Sequence, residues 1–291
     1  MSVRYQRLIR PATEAESLVV PITFGCSYGK CAFCANNFDK PFRVRDIREV
    51  KTDIDEVAAA GLPFKRVFLA DGDALVVRHE RLVEVLTHIR QRLPEIERVG
   101  IYGNAKDLLR KTPEQLSELR DLGLGLIYQG LESGDDAILE FLSKGCTAEQ
   151  QIEAGRKVRE AGILLSVTLV LGVGGERWRE HAVSTAEALN RIRPSSIRVH
   201  TILVTPDTPL YGIALAGGFV PPDPMQTLEE LRLLISKVDL WDTPLLANMK
   251  SNYLPLWGLL SNDRESLLAR IDEVLSSRDY SQLRSEQARA V

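Results

Sequence analysis

The stretch 25-GCSYGKCAFC-34 places Cys26, Cys31 and Cys34 in ten residues, spaced C-x4-C-x2-C, directly after an apolar run. Thiols crowded in this way hold a metal ion or a metal cluster. Cys146 is the one other cysteine, so the metal-binding capacity of the chain is gathered in one place. Three kinds of site have a claim on the motif. A structural zinc site needs four N or S ligands, usually as two pairs. Here no second C-x2-C or H-x3-H follows, and His79, His88, His181 and His200 are scattered singly. A plant-type 2Fe–2S centre uses the same spacing plus a fourth cysteine. Its candidate, Cys146, lies more than a hundred residues further on, at the entry to a helical pattern. A 4Fe–4S cluster held by three thiolates leaves one iron open to an exogenous ligand, as catalytic metal sites do.

The elements around the motif favour a catalyst. Short, continuously apolar runs alternate with longer helical patterns: SLVVPITF (17–24), RVFLAD (66–71), VGIYGN (99–104), LGLIYQGLE (124–132), ILLSVTLVLG (163–172) and SIRVHTILV (196–204) read as strands. Helices are predicted near 46–60, 79–93, 113–122, 135–143, 147–161 and 177–192, with Asp46, Thr112 and Thr147 as N-caps. Strands apolar on both faces belong to a parallel sheet covered by helices. Six such units predict an α/β fold of the partial (βα)6 TIM-like kind, with chemistry at the C-terminal ends of its strands, where the cysteines lie. Residues 1–16 read as an N-terminal extension and 17–212 as the βα domain. A C-terminal extension, 213–291, holds helices near 227–238 and 264–276 and an otherwise irregular segment.

Composition narrows the partners. A net charge of −3 over 291 residues gives no electrostatic grip on nucleic acid or on an anionic membrane. No apolar run reaches the roughly 18 residues of a membrane span. The polar start MSVRYQRLIRPATEAES lacks a signal-peptide core, which predicts a cytoplasmic protein with reduced thiols.

Four ordered segments then resemble the radical S-adenosylmethionine (SAM) superfamily over about residues 17–212. An aromatic, Phe33, precedes the last motif cysteine, and FLADGD (68–73) stands where the family has its GGE-type motif. QGLESGDDAILEFLSKGCT (129–147) is similar to the ESGS…L…RGxT segment of elongator-like enzymes, methylthiotransferases and oxygen-independent coproporphyrinogen oxidase. LVLGVGGE (169–176) resembles LILGLPGE, and LVTPDTPLY (203–211) resembles the PGTPLY turn. The family's usual spacing is C-x3-C-x2-C; one extra residue here, between Cys26 and Cys31, is expected to bulge the loop without changing the ligand set.

The resemblance implies a 4Fe–4S cluster on Cys26, Cys31 and Cys34, with SAM on the open iron. It places the methionine part of SAM at Asp71, Gly72 and Asp73, the ribose and carboxylate at Glu132 and Ser133, and the adenine beside Gly172. Lys144 stands where relatives carry an arginine for the SAM carboxylate; it supplies charge but no bidentate fork. Tyr102, Asn104, Asn252 and Tyr253 are candidates for substrate chemistry, the last two with the alternative of plugging the core together with Leu254, Leu256 and Trp257. The flank RPATEAESL (10–18) is a further expected substrate reader, while Arg43 and Arg45 read as solvated or loop-stapling charges. Cys146 alone cannot supply a second cluster. The implied chemistry is therefore single-cluster and anaerobic: reductive SAM cleavage and hydrogen abstraction from a small molecule, leading to rearrangement, oxidation, decarboxylation or bond cleavage. A flavodoxin or ferredoxin would supply the electron. The reading from a different class is a non-catalytic or electron-transfer iron–sulfur protein on a βα scaffold.

Overall fold

The computed structural model describes residues 8–34 and 40–290; residues 1–7 of the expected N-terminal extension lie outside this range. Its strands are β1 (Leu18–Pro21), β2 (Thr23–Phe24), β3 (Arg43–Val44), β4 (Arg66–Ala70), β5 (Arg98–Tyr102), β6 (Leu124–Glu132), β7 (Leu164–Leu171), β8 (Ser196–Thr201), β9 (Pro244–Ala247) and β10 (Leu256–Leu259). The main sheet has the order β1-β4-β5-β6-β7-β8-β9-β10, with β10 antiparallel to β9, while β2 and β3 form a small antiparallel pair. Consecutive strands are neighbours throughout. This is the winding expected of a TIM-like series and not the reversing order of a doubly wound sheet.

The chain divides into two compact units, and β6 begins in one and ends in the other. The first is drawn from the described residues within Met1–Gly29, Asn36–Gln129 and Lys157–Leu165. Its strands pair in parallel register, Pro21 beside Ala70, Leu69 beside Ile101 and Tyr102 beside Tyr128. Val67, Phe68, Leu69 and Ala70 are all fully buried, which is why RVFLA shows no alternation. The flanking helices start where their caps predict. Asp46 accepts the Arg48 amide ahead of Ile47–Ala59, and Thr112 and Gln115 form a capping box ahead of Pro113–Asp121. Arg45 is a loop staple, donating to the Pro21 carbonyl at 2.8 Å and to Asp53 at 2.7 Å.

The flank 10–18 also carries a buried polar network. Glu14 is completely buried, and its carboxylate accepts from the Ser17 hydroxyl, from the Tyr128 hydroxyl at 2.6 Å and from Arg98 at 2.6 Å. Thr13 and Tyr128 share a further hydrogen bond of 2.9 Å, and a Cβ on Gly100 would stand 3.3 Å from Glu14 Oε1. The Ile9 amide meanwhile reaches Asp71, just past the end of β4, at 3.0 Å. Residues 9–14 therefore run the length of the strands on the face that carries Phe68 and Tyr128. A charged residue is tolerated there because every acceptor site is matched by a donor.

The second unit comprises Lys30–Ala35, Gly130–Arg156 and Ser166–Val291, of which residues 35 and 291 are not described. Leu171 pairs with Thr201 and Ile197 with Leu245, both in parallel, and Leu256 pairs with Ala247 in the antiparallel sense. The segment expected to be irregular thus adds two strands, followed by the helix Leu260–Ser277. Four-residue strands, one opened by Pro244, carry too little periodicity to be read from sequence. Tyr253, Leu254 and Leu256 are buried as a plug would be, but Trp257 points outward and is 73% exposed. Among the described residues, no helix is long and apolar enough to cross a membrane.

Replacing Glu14 by Ala is expected to leave Tyr128, Ser17 and Arg98 without their shared acceptor and to lower unfolding stability by about 3 kcal/mol. Urea unfolding monitored by circular dichroism checks this.

Candidate functional site

In the first unit the expected site residues converge where the strands end. Gly25 adopts φ +69°, and a Cβ there would lie 2.6 Å from the Lys40 carbonyl oxygen, so the turn into Cys26 requires glycine. Asp71 holds that turn: its carboxylate accepts from the Gly25 amide at 3.2 Å, the Lys40 ammonium at 3.2 Å and the Ile9 amide at 3.0 Å. Its own amide donates to Thr23 at 3.1 Å. Two residues on, across Gly72, Asp73 Oδ2 accepts from the Ser27 hydroxyl and from Asn104 Nδ2 at 2.6 Å. Oδ1 of Asp73 is buried and receives no hydrogen bond from a donor among the described residues, while the carboxyl shares a hydrogen bond with that of Asp107. Burial, with the neighbouring Asp107 carboxylate, pushes the Asp73 carboxyl up to about 7. Asn104 also caps the helix Ala105–Arg110 through the Asp107 amide, so both ends of its side chain are engaged. Tyr102 packs edge-on to Phe68, ring centroids 5.1 Å apart, within the aromatic cluster that includes Tyr128.

In the second unit the cysteine loop is pinned at its centre. The Ala32 amide donates to the Leu142 carbonyl at 2.8 Å, and the Ala32 carbonyl accepts from the Leu210 amide at 2.9 Å. Phe33 packs on the apolar cluster of Ile138, Leu142, Val170, Val173, Ile202, Leu210 and Phe219. Leu142 precedes Lys144, and this brings the two motifs together: Lys144 Nζ lies 2.9 Å from Glu132 Oε1 and within the electrostatic reach of the Cys31 and Cys146 thiols. Burial alone would lower the Lys144 pKa, but Glu132, then Cys31, hold the ammonium well above its ordinary value. Glu132 has φ +63°, a conformation uncommon for residues other than glycine, and Ser133 beside it is fully buried, accepting from the Asp135 amide at 3.0 Å. Gly172, at the end of β7, has φ +82°, and its amide donates to Glu230 at 2.9 Å.

Glu230 and its partner His181 were assigned no role from sequence. Glu230 Oε1 lies 2.5 Å from His181 Nδ1, and His181 Nε2 lies 3.2 Å from the Glu132 carbonyl. Both side chains are essentially inaccessible to solvent. The residues stand 49 apart in sequence, with no motif to mark the pairing.

Asn252 and Tyr253 are structural. Asn252 Nδ2 donates to the carbonyls of Val199 at 2.7 Å and Ala247 at 2.8 Å, while its Oδ1 accepts from Thr201. It fastens β9 to β8. The Tyr253 hydroxyl donates to Glu286, and Arg289 stacks 3.9 Å from its ring centroid.

A model of the radical SAM superfamily matches residues 20–189, more than half of the chain. The chain belongs to the radical SAM superfamily. An uncharacterized methyltransferase of Pyrococcus horikoshii is 24% identical over 207 residues, covering 69% of this chain and 43% of its own length, so the chain spans less than half of that relative. Among solved structures, methylornithine synthase aligns with a TM-score of 0.55 at 17% identity, over 89% of this chain and 81% of its own. Coproporphyrinogen III oxidase from Escherichia coli, a radical SAM enzyme, aligns with a TM-score of 0.56 at 16% identity, over 76% and 51%. At such identities the likeness to solved structures is one of fold. Radical SAM enzymes use a 4Fe–4S cluster and SAM, and this chain is an enzyme of that superfamily.

The residues present suit both cofactors. Cys26, Cys31 and Cys34 are outside any disulfide, as thiolate ligands must be, and half-buried. Among the described residues, no three His, Cys, Asp or Glu side chains converge as the ligands of a single ion would. The thiolates of a cluster each bind a different iron, so convergence on one point is not what they need. The unpartnered Asp73 Oδ1 is a buried acceptor that an ammonium group would satisfy.

The Asp73 carboxyl also predicts a pH effect. Its folded pKa lies above the ordinary 3.8, so the folded state holds a proton that the unfolded state has lost, and stability falls between about 3.8 and about 7. Asp73→Asn, which never charges, should gain stability relative to the wild type across that interval and no further above it. Urea unfolding of cluster-free protein at a series of pH values measures the difference.

Proposed function

We propose that this radical SAM enzyme holds a single 4Fe–4S cluster on Cys26, Cys31 and Cys34, binds SAM at the open iron, and abstracts hydrogen from a small-molecule substrate. When bound and reduced, the cluster and SAM supply a carbon-centred radical that removes hydrogen from an unactivated carbon. The protein's part is to bind, orient and exclude water. The observation that carries the reading is the buried, unpartnered Oδ1 of Asp73. It is the acceptor suited to the amino group of SAM, and in its ionised form it balances the charge of that group.

The remaining roles are those the superfamily resemblance implies, and the geometry supports them. Asp71 acts through the turn at Gly25 and positions Cys26, and Gly72 spaces the two carboxylates. Lys144, made cationic by Glu132, balances thiolate charge near Cys31 and faces the SAM carboxylate as a point charge. Glu132 and Ser133 serve the ribose and Gly172 the adenine side, while Phe33 shields the cysteine loop. Tyr102 and Asn104 are the residues nearest to a substrate role; Asn252 and Tyr253 are withdrawn from it by their structural bonds. A reductant such as flavodoxin or ferredoxin supplies the electron under anaerobic, cytoplasmic conditions. An electron-transfer protein would have no use for a buried carboxylate held ready for an amine.

Anaerobic reconstitution with iron and sulfide, followed by dithionite and SAM, should release 5′-deoxyadenosine. Cys31→Ala should abolish the release, and Asp73→Asn should raise the KM for SAM by about tenfold through loss of a charged hydrogen bond. A cluster that accepts an electron but never cleaves SAM would refute the proposal.

A further inference from the structure

Two loops assigned to SAM are fastened to one buried pair. His181 Nε2 faces the Glu132 carbonyl at 3.2 Å, and since a carbonyl only accepts, Nε2 carries the hydrogen. His181 Nδ1 and Glu230 Oε1, 2.5 Å apart, share the next proton, so the pair is neutral as a unit whichever partner holds it. Glu230 Oε2 then accepts the Gly172 amide at 2.9 Å. The chain of bonds runs without a break from the end of β6 to the end of β7. The helix Trp178–Ile192, which carries His181, reinforces it twice. Thr185 Oγ1 accepts the Gly134 amide at 2.9 Å, and a Cβ on Gly174 would stand 3.0 Å from the His181 Cβ. Glu132 holds φ +63°, and such backbone in a residue other than glycine persists only where its surroundings over-determine it.

We infer that His181 and Glu230 form a positioning clamp that sets the ribose-side loop at Glu132–Gly134 and the adenine-side loop at Gly172–Gly175 as one unit, so that affinity for SAM depends on the helix Pro224–Lys237. The inference rests on the assignment of Glu132 and Gly172 to SAM given above. Neither clamp residue touches the cofactor; they act through the Glu132 carbonyl and the Gly172 amide. Glu230 lies beyond the stretch that the superfamily model matches, residues 20–189. The clamp is thus a contribution of the C-terminal extension to a site in the βα region.

The conservative variant separates positioning from bulk stability. In Glu230→Gln the amide oxygen still accepts from Gly172 and the amide nitrogen donates to a neutral His181, so the bridge survives. In Glu230→Ala it does not. Hydrogen–deuterium exchange on the cluster-free protein should show residues 130–134 and 172–176 exchanging faster together in Glu230→Ala and near the wild-type rate in Glu230→Gln. Titration of reduced, reconstituted protein with SAM, followed by electron paramagnetic resonance, should give a Kd raised about tenfold or more in Glu230→Ala and within about threefold of wild type in Glu230→Gln. Should the alanine variant fail to fold, His181→Asn, which keeps a group at the Nδ1 position but loses the donor to Glu132, should show the same tenfold loss. An unchanged SAM Kd in Glu230→Ala or His181→Asn, or faster exchange at 172–176 alone, would overturn the clamp while leaving the SAM assignment intact. A wild-type spectrum that SAM does not alter would overturn the assignment and the clamp with it.

Discussion

In each unit the parallel ladder brings neighbouring strand ends level, Pro21 beside Ala70 in the first and Leu171 beside Thr201 in the second. Because side chains alternate between the two packed faces, a one-residue slip would send every side chain of a strand to the opposite face. That constraint decides where the chemistry emerges. Asp71 follows the last residue of β4, Gly172 follows the last residue of β7, and Glu132 is itself the last residue of β6. Residues released at such points leave the ladder with free backbone groups, and these must be answered by side chains or ligands. Asp71 meets the Gly25 and Ile9 amides, and Glu230 meets the Gly172 amide.

The consequence is a concentration of buried charge that a stable fold alone would not require. Asp71, Asp73, Glu132, His181 and Glu230 are all buried, and unmatched charge at such depth is costly. Most are matched. Lys40 stands against Asp71, Lys144 against Glu132 and His181 against Glu230. The exception is Asp73, held near Asp107 with one oxygen unanswered and its pKa raised to about 7. Residual electrostatic stress of this kind is characteristic of sites that await a ligand, because the ligand supplies the missing partner.

Much of this was legible in the sequence, and for physical reasons. Strands buried on both faces announce themselves as unbroken apolar runs, and Asp46, Thr112 and Thr147 mark helix starts because their side chains answer specific amides. The FLADGD and QGLESGDD segments were visible because local motifs carry the sites at strand ends. What stayed hidden depends on contacts between distant residues. Glu14 falls in a flank expected to read substrate, and only Tyr128 and Arg98, more than eighty positions away, show that it is enclosed in the core. Asn252 reads as a candidate for substrate chemistry because its flank resembles those of small radical SAM proteins. In the fold it is a backbone staple, chosen for an amide able to donate twice and accept once. His181 and Glu230 lie in unremarkable amphipathic helices, and only the folded chain brings them together.

The account stands on three thiolates leaving one iron of a cluster open to SAM. Electron–nuclear double resonance on the reduced, reconstituted protein, with SAM isotopically labelled at its amino nitrogen and carboxylate oxygens, addresses that directly. Hyperfine coupling from both labels to the cluster spin is expected in the wild type and its absence in Cys31→Ala. A reduced cluster that shows no coupling to either label in the wild-type protein would contradict it.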